Sequence, residues 1–186
     1  MFIDPKPETG RILSQRTVYS GPVFDLKQLT VQTPDGLQVE RDLIKHAQAV
    51  AILALTKDNQ VLVGREYRVG VNREAYSLPA GLMNPTETAL EAAKRELQEE
   101  TGYQPTHLEE MVAIHSSEGM TDEFVHLMLA RIDAAPSTQP DFDHDEFVTS
   151  QLVPLDEVIA AVKTGAITSA QSVAALSYYL AFHQAN

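Results

Sequence analysis

The chain has 186 residues, of which 44% are hydrophobic and 22% charged, with a net charge of −12 and no cysteine. Those figures fit one soluble globular unit with a substantial core, and they exclude disulfides, thiolate metal sites and a cysteine nucleophile. The acidic balance argues against nonspecific nucleic-acid or anionic-membrane binding, which relies on basic surface.

Met1–Glu8 lacks a basic stretch followed by an apolar run, so no secretory signal is expected and a cytoplasmic location follows. No segment approaches the roughly 18 apolar residues needed to span a bilayer. Over residues 10–46 short strands are predicted at Val23–Leu26, Leu29–Val31 and Leu37–Leu43, with Thr33-Pro34-Asp35-Gly36 as a turn. Ala49–Leu55 is an unbroken apolar run, as expected of a strand buried on both faces, and Val61–Arg68 is predicted as a second strand. Thr88-Ala89-Leu90-Glu91 reads as a capping box that opens a helix ending near Glu100, where Gly102 suits a left-handed C-cap. Strands are expected at Met111–His115, Phe124–Arg131 and Gln151–Pro154, then helices at Asp156–Lys163 and Ser169–His183. Strands first and helices later point to an α/β sandwich rather than a doubly wound sheet.

At about 100° per residue, Glu96, Glu99 and Glu100 fall in one arc of the first helix, and Leu90, Ala93 and Leu97 in the neighbouring arc expected to face the core. Like charges at these spacings repel by a few tenths of a kcal/mol. A hard divalent cation reverses that sign, because it seeks carboxylate oxygens. It would also reconcile an acidic protein with a polyanionic substrate. The alternative is a solvated helix face. Arg95 lies four residues before Glu99, the spacing of a helix ion pair. The six histidines lack His-x-x-x-His spacing, which argues against zinc, and His115 is expected in the core or at its rim.

The spacing is what decides between metal site and solvated face. Gly81, five residues, Glu87, seven residues, then Arg95-Glu96-Leu97-x-Glu99-Glu100-x-Gly102-Tyr103 resembles the signature box of the Nudix hydrolases. The resemblance implies an α/β/α sandwich with a mixed sheet over residues 47–186. It implies attack of water on a pyrophosphate bridge, with Mg²⁺ as the ion and Mn²⁺ its substitute. It further implies that Glu96, Glu99, Glu100 and the Ala80 carbonyl hold the ion, that Glu99 and Glu100 are catalytic, and that Arg95 orients a catalytic carboxylate. Glu87 would either ligate peripherally or brace the loop.

Outside the box, Arg41–His46, Val50–Leu55, Arg65-Glu66-Tyr67-Arg68, Leu78-Pro79-Ala80-Gly81 and Lys163–Ser172 resemble the ADP-ribose pyrophosphatase subfamily. This second likeness implies cleavage of ADP-ribose to AMP and ribose 5-phosphate, in a homodimer joined through a small antiparallel sheet in residues 1–46. Arg68 would contact phosphates, Arg41 the nucleotide, and Phe24 or Tyr67 would stack on the base. Glu146 would be a catalytic glutamate on a loop. Glu118 and Ser77 depart from the subfamily pattern. They leave open a broader nucleoside diphosphate sugar pyrophosphatase acting on substrates such as GDP-mannose. A non-catalytic ligand-sensing domain is the remaining reading.

Overall fold

The computed structural model describes residues 10–141 and 147–184, and the chain divides into two compact units. The first comprises the described part of Met1–Ala47 together with Ser117–Glu123. It holds a three-stranded antiparallel sheet of β1 (Arg11–Ser20), β2 (Phe24–Gln32) and β3 (Gln38–His46), in that order. The predicted turn joins β2 to β3. Gly36 takes φ +89° there and its N–H donates to the Thr33 carbonyl at 2.9 Å.

The sequence does not foretell β1, for a physical reason. Its pairing with β2 shifts register between Ile12 and Ser14 and again between Thr17 and Tyr19. Each bulge breaks the alternation that a strand otherwise displays, and all ten residues are exposed. The 117–123 loop docks on β3 through backbone bonds between Ile44 and Met120 and between Asp122 and Ile44. Asp122 also accepts from the His46 N–H at 2.9 Å and pairs with Lys45. Burial pushes the Asp122 carboxyl up, but Lys45 and the His46 amide outweigh it and hold the group below its ordinary value.

The second unit contains a seven-stranded sheet. Its central order is β10 (Thr149–Pro154), β5 (Gln60–Arg68), β4 (Ala49–Leu55), β9 (Phe124–Ile132), β8 (Pro105–His115). The short strands β6 (Arg73–Ser77) and β7 (Ala80–Leu82) pair with β5 and β4. The β4–β9 pair is parallel and the other pairs are antiparallel, so the sheet is mixed.

Every residue of β4 is buried, and its two faces serve different cores. Val50, Ile52 and Ala54 pack with Ala89, Ala92, Ala93 and Leu97 of α1 (Ala89–Thr101). Ala51, Leu53 and Leu55 pack with Val158 of α2 (Leu155–Thr164) and Ala175, Leu176 and Tyr179 of α3 (Ala170–Phe182). The result is the α/β/α sandwich expected. β2 is one strand where two, Val23–Leu26 and Leu29–Val31, are expected, and the second unit differs in two further details. β8 begins at Pro105 rather than Met111, and β6 and β7 are additional short strands. His115 is exposed at the sheet rim, its ring 4.8 Å from that of Phe124. Among the described residues, no helix is long and apolar enough to cross a membrane.

Candidate active site

Helix α1 starts and stops where its sequence says it should. Thr88 accepts from the Glu91 N–H while the Glu91 carboxylate accepts from the Thr88 N–H, a complete capping box. Gly102 ends the helix at φ +72°. The face assignment needs correction. The buried stripe is Ala89, Ala92, Ala93, Glu96, Leu97, Glu100 and Thr101, and Leu90 is 48% exposed. Glu96 and Glu100 thus lie within the stripe packed on the protein, not beside it. Of the three carboxylates only Glu99 is open, with 43% of its side chain exposed.

Strand β7 explains how two glutamates are accommodated there. The Ala80 N–H donates to Glu100 at 3.3 Å. A Cβ on Gly81 would fall on the Glu96 carboxylate, so glycine is what allows this close approach. The Pro79 carbonyl accepts from Ile52 N–H at 2.9 Å. By the alternation of an antiparallel ladder, Ala80 then directs its own carbonyl away from β4. Leu78 N–H donates to the buried Ser172 hydroxyl at 3.0 Å, which anchors this turn to α3.

Arg95 joins the parts. Its Nε and Nη2 donate to the two oxygens of Glu87 at 2.7 and 2.8 Å, a bidentate pair, and Nη2 also reaches the Leu82 carbonyl at 3.0 Å. Its Nη1 donates to Glu96 at 2.7 Å and to Glu99 at 2.9 Å. Glu87 also accepts from the Asn84 N–H at 2.9 Å. The Arg95 hydrogen bonds, helped by that amide, hold the Glu87 carboxyl down at about 2, and Glu87 in turn drives the guanidinium pKa upward. Glu87 therefore braces the loop before the helix. The sequence missed its grip on Arg95, because Glu87 precedes the helix and helical spacing does not apply to it.

Among the described residues, no group of three or more His, Asp or Glu side chains stands in a ligating arrangement. Glu96 and Glu99 share the Arg95 guanidinium instead. The donor chemistry nonetheless suits a hard divalent ion: three carboxylates and a carbonyl, with no sulfur or imidazole. Substituting Gly81→Ala tests this juxtaposition. The Glu96 carboxylate ends a flexible side chain, so it can yield to the new methyl with a stability change below about 1 kcal/mol. The same displacement should weaken Mn²⁺ binding about tenfold in a titration, near 1.4 kcal/mol. Unchanged affinity would detach Glu96 from the ion.

The other predicted residues lie on other elements. Tyr67 and Arg68 end β5; the Tyr67 hydroxyl donates to Asn72 at 2.6 Å, and Arg68 pairs with Glu66 at 2.7 Å. Both side chains are exposed rather than core. Phe24 and Arg41 belong to the first unit, Phe24 with its ring 6.0 Å from Tyr19 and Arg41 donating to the Glu40 carbonyl at 2.8 Å. Glu146 lies outside the described residues.

A mixed sheet between helices, with a carboxylate-bearing helix set against a glycine turn, defines a Nudix-type hydrolase. The NUDIX domain family model matches residues 45–176, and the chain belongs to the Nudix family as a Nudix pyrophosphohydrolase. It is 32% identical over 168 residues to the ADP-ribose pyrophosphatase of Bacillus subtilis (strain 168), covering 90% of this chain and 91% of that protein. It is 30% identical over 174 residues to the methanol dehydrogenase activator of Bacillus methanolicus, covering 91% and 94%. The crystal structure of an ADP compounds hydrolase shares the fold, with a TM-score of 0.83 at 22% identity over 96% of each chain. Nudix hydrolases generally use divalent metal ions.

Proposed function

We propose that this protein hydrolyses the pyrophosphate bond of ADP-ribose, giving AMP and ribose 5-phosphate, with Mg²⁺ as its ion and Mn²⁺ as a substitute. The chemistry rests on one observation: Glu96 and Glu100 are buried beside Ala80 and Gly81, with Glu99 and Arg95 next to them. The choice of substrate is supported by the 32% identity to an ADP-ribose pyrophosphatase over nine-tenths of the chain.

Glu96, Glu99, Glu100 and the Ala80 carbonyl would hold the ion. When bound, Mg²⁺ supplies positive charge for the phosphate oxygens and makes a nearby water more acidic. A carboxylate of the cluster takes the proton as water attacks phosphorus and the bridging P–O bond breaks. Arg95 steadies Glu99 for this work. Arg68 exchanges its Glu66 partner for a phosphate, and Arg41, Phe24 and Tyr67 serve the nucleotide. Glu146 assists the catalysis. The protein acts as a homodimer joined through the strands of residues 1–46, with residues 47–186 as the catalytic domain.

A hydrolysis panel with Mg²⁺ tests the assignment, comparing ADP-ribose, ADP-glucose, GDP-mannose, NADH and dinucleoside polyphosphates. ADP-ribose should show the highest kcat/KM. Glu118 and Ser77 leave a wider substrate range open, and a comparable rate with GDP-mannose would establish that second reading. Binding of ADP-ribose with no hydrolysis of any compound would leave a sensor.

A further inference from the structure

The C-terminus of α1 poses an electrostatic problem. Its last turn carries Glu99 and Glu100 and no basic residue, at the end where the helix dipole is negative. Its final carbonyls also lack partners within the helix. The segment 137–141, from a distant part of the sequence, supplies them. Ser137 and Thr138 N–H groups both donate to the Gly102 carbonyl, at 3.0 and 3.1 Å, and the Asp141 N–H donates to the carbonyl of Glu99 at 2.8 Å. The Ser137 and Thr138 hydroxyls approach the same Gly102 oxygen at 3.4 and 3.3 Å. The fit is close enough that a Cβ on Gly102 would fall on the Thr138 carbonyl oxygen.

Resting on the reading that Glu96, Glu99 and Glu100 hold a divalent cation, we propose that segment 137–141 is a positioning strap for that site. Through the Asp141 amide on the Glu99 carbonyl it fixes the last turn of α1 and so sets the affinity for the ion. Three amide dipoles aimed at the helix end offset its negative charge, and the bond to Glu99 restrains a ligand at its own backbone. A half-exposed glutamate has few other restraints. Arg95 holds its carboxylate and the strap holds its main chain.

Coupling of this kind is reciprocal: a strap that tightens ion binding must itself be tightened by the ion, by the same factor. Amide hydrogen exchange on the full chain, with and without saturating Mg²⁺, reads this directly. Mg²⁺ should slow exchange at Ser137, Thr138 and Asp141 by about tenfold more than at Ala166 and Ile167, whose amides close the end of α2. In parallel, Asp141→Pro, which removes the donor, should raise the Mn²⁺ dissociation constant about tenfold by paramagnetic resonance, at a temperature where the variant is folded. Mg²⁺ binding with equal slowing at both places overturns the proposal, as does a variant that melts earlier but keeps its Mn²⁺ affinity. Should Asp141→Pro fail to fold, the wild-type exchange decides. A wild-type chain that binds neither ion overturns the ion reading itself, and the strap's role with it.

Discussion

Replacing Glu100 with Gln should lower kcat/KM for ADP-ribose by about 10²–10³-fold while the protein keeps its fold, and Glu99→Gln should do the same. The size follows from what is removed. In the proposed reaction, each substitution takes one negative charge from the cluster that would gather positive charge around the transferring phosphoryl group. The retention of fold follows from what is kept. Glutamine has the shape of glutamate, and its carbonyl oxygen can still accept from the Ala80 N–H that now meets Glu100. Melting by circular dichroism should therefore place both variants within about 1 kcal/mol of wild type. The two should differ in degree: Glu100 is buried and Glu99 is half-exposed, so water can partly replace a lost Glu99 oxygen. Wild-type turnover in both would remove this helix from the chemistry. Unfolding of both would recast the carboxylates as structural.

The helix that bears these groups was legible because local rules govern it. Thr88, Glu91 and Gly102 are side-chain signals for a cap, a capping box and a left-handed stop, and each sits at its predicted place. The apolar run of β4 was legible for the same kind of reason, since a strand covered on both faces needs no alternation. The face of α1 was misread at Leu90, since a plain helical wheel ranks leucine above glutamate as a core residue. The glycine at 81 reverses that ranking locally by opening room for Glu96 against the strand.

The remaining features were hidden because non-local backbone makes them. The segment 137–141 caps α1 through its amides, which every residue but proline carries, so its side chains give no sign of the contact. Strand β7 is three residues long and owes its existence to pairing with β4. The Glu87–Arg95 pair spans the junction between a loop and a helix, where neither period applies. Sequence spacing announces the carboxylates, and the tertiary fold decides which of them are buried and which cation they meet.

Arg95→Met should destabilise the metal-free protein by about 2 kcal/mol, and should change how its stability depends on pH. The guanidinium has 27% of its side chain exposed and makes charge-assisted bonds to Glu87, Glu96 and Glu99. Its removal leaves three carboxylates facing one another across the start and end of one helix. The cost is set below that of a fully buried pair because water reaches the group. Added Mg²⁺ should recover more stability in the variant than in wild type, since the ion then supplies positive charge that Arg95 no longer does. The pH response has a definite sign. In wild type the Glu87 carboxyl sits at about 2 rather than 4.5. A depressed folded-state value contributes stability that is complete above the ordinary value and is lost as pH falls towards the folded one. Wild type should therefore lose stability steadily between about pH 4.5 and 2, as Glu87 is protonated and its bond to Arg95 fails. In Arg95→Met the main cause of the depression is gone, and protonation relieves repulsion instead of breaking an ion pair. Denaturant titrations across that range, without metal, should show the gap between the two proteins closing as pH falls. Coincident curves at every pH would mean that the Arg95 contacts contribute nothing to stability, and that the guanidinium's role is confined to the working site.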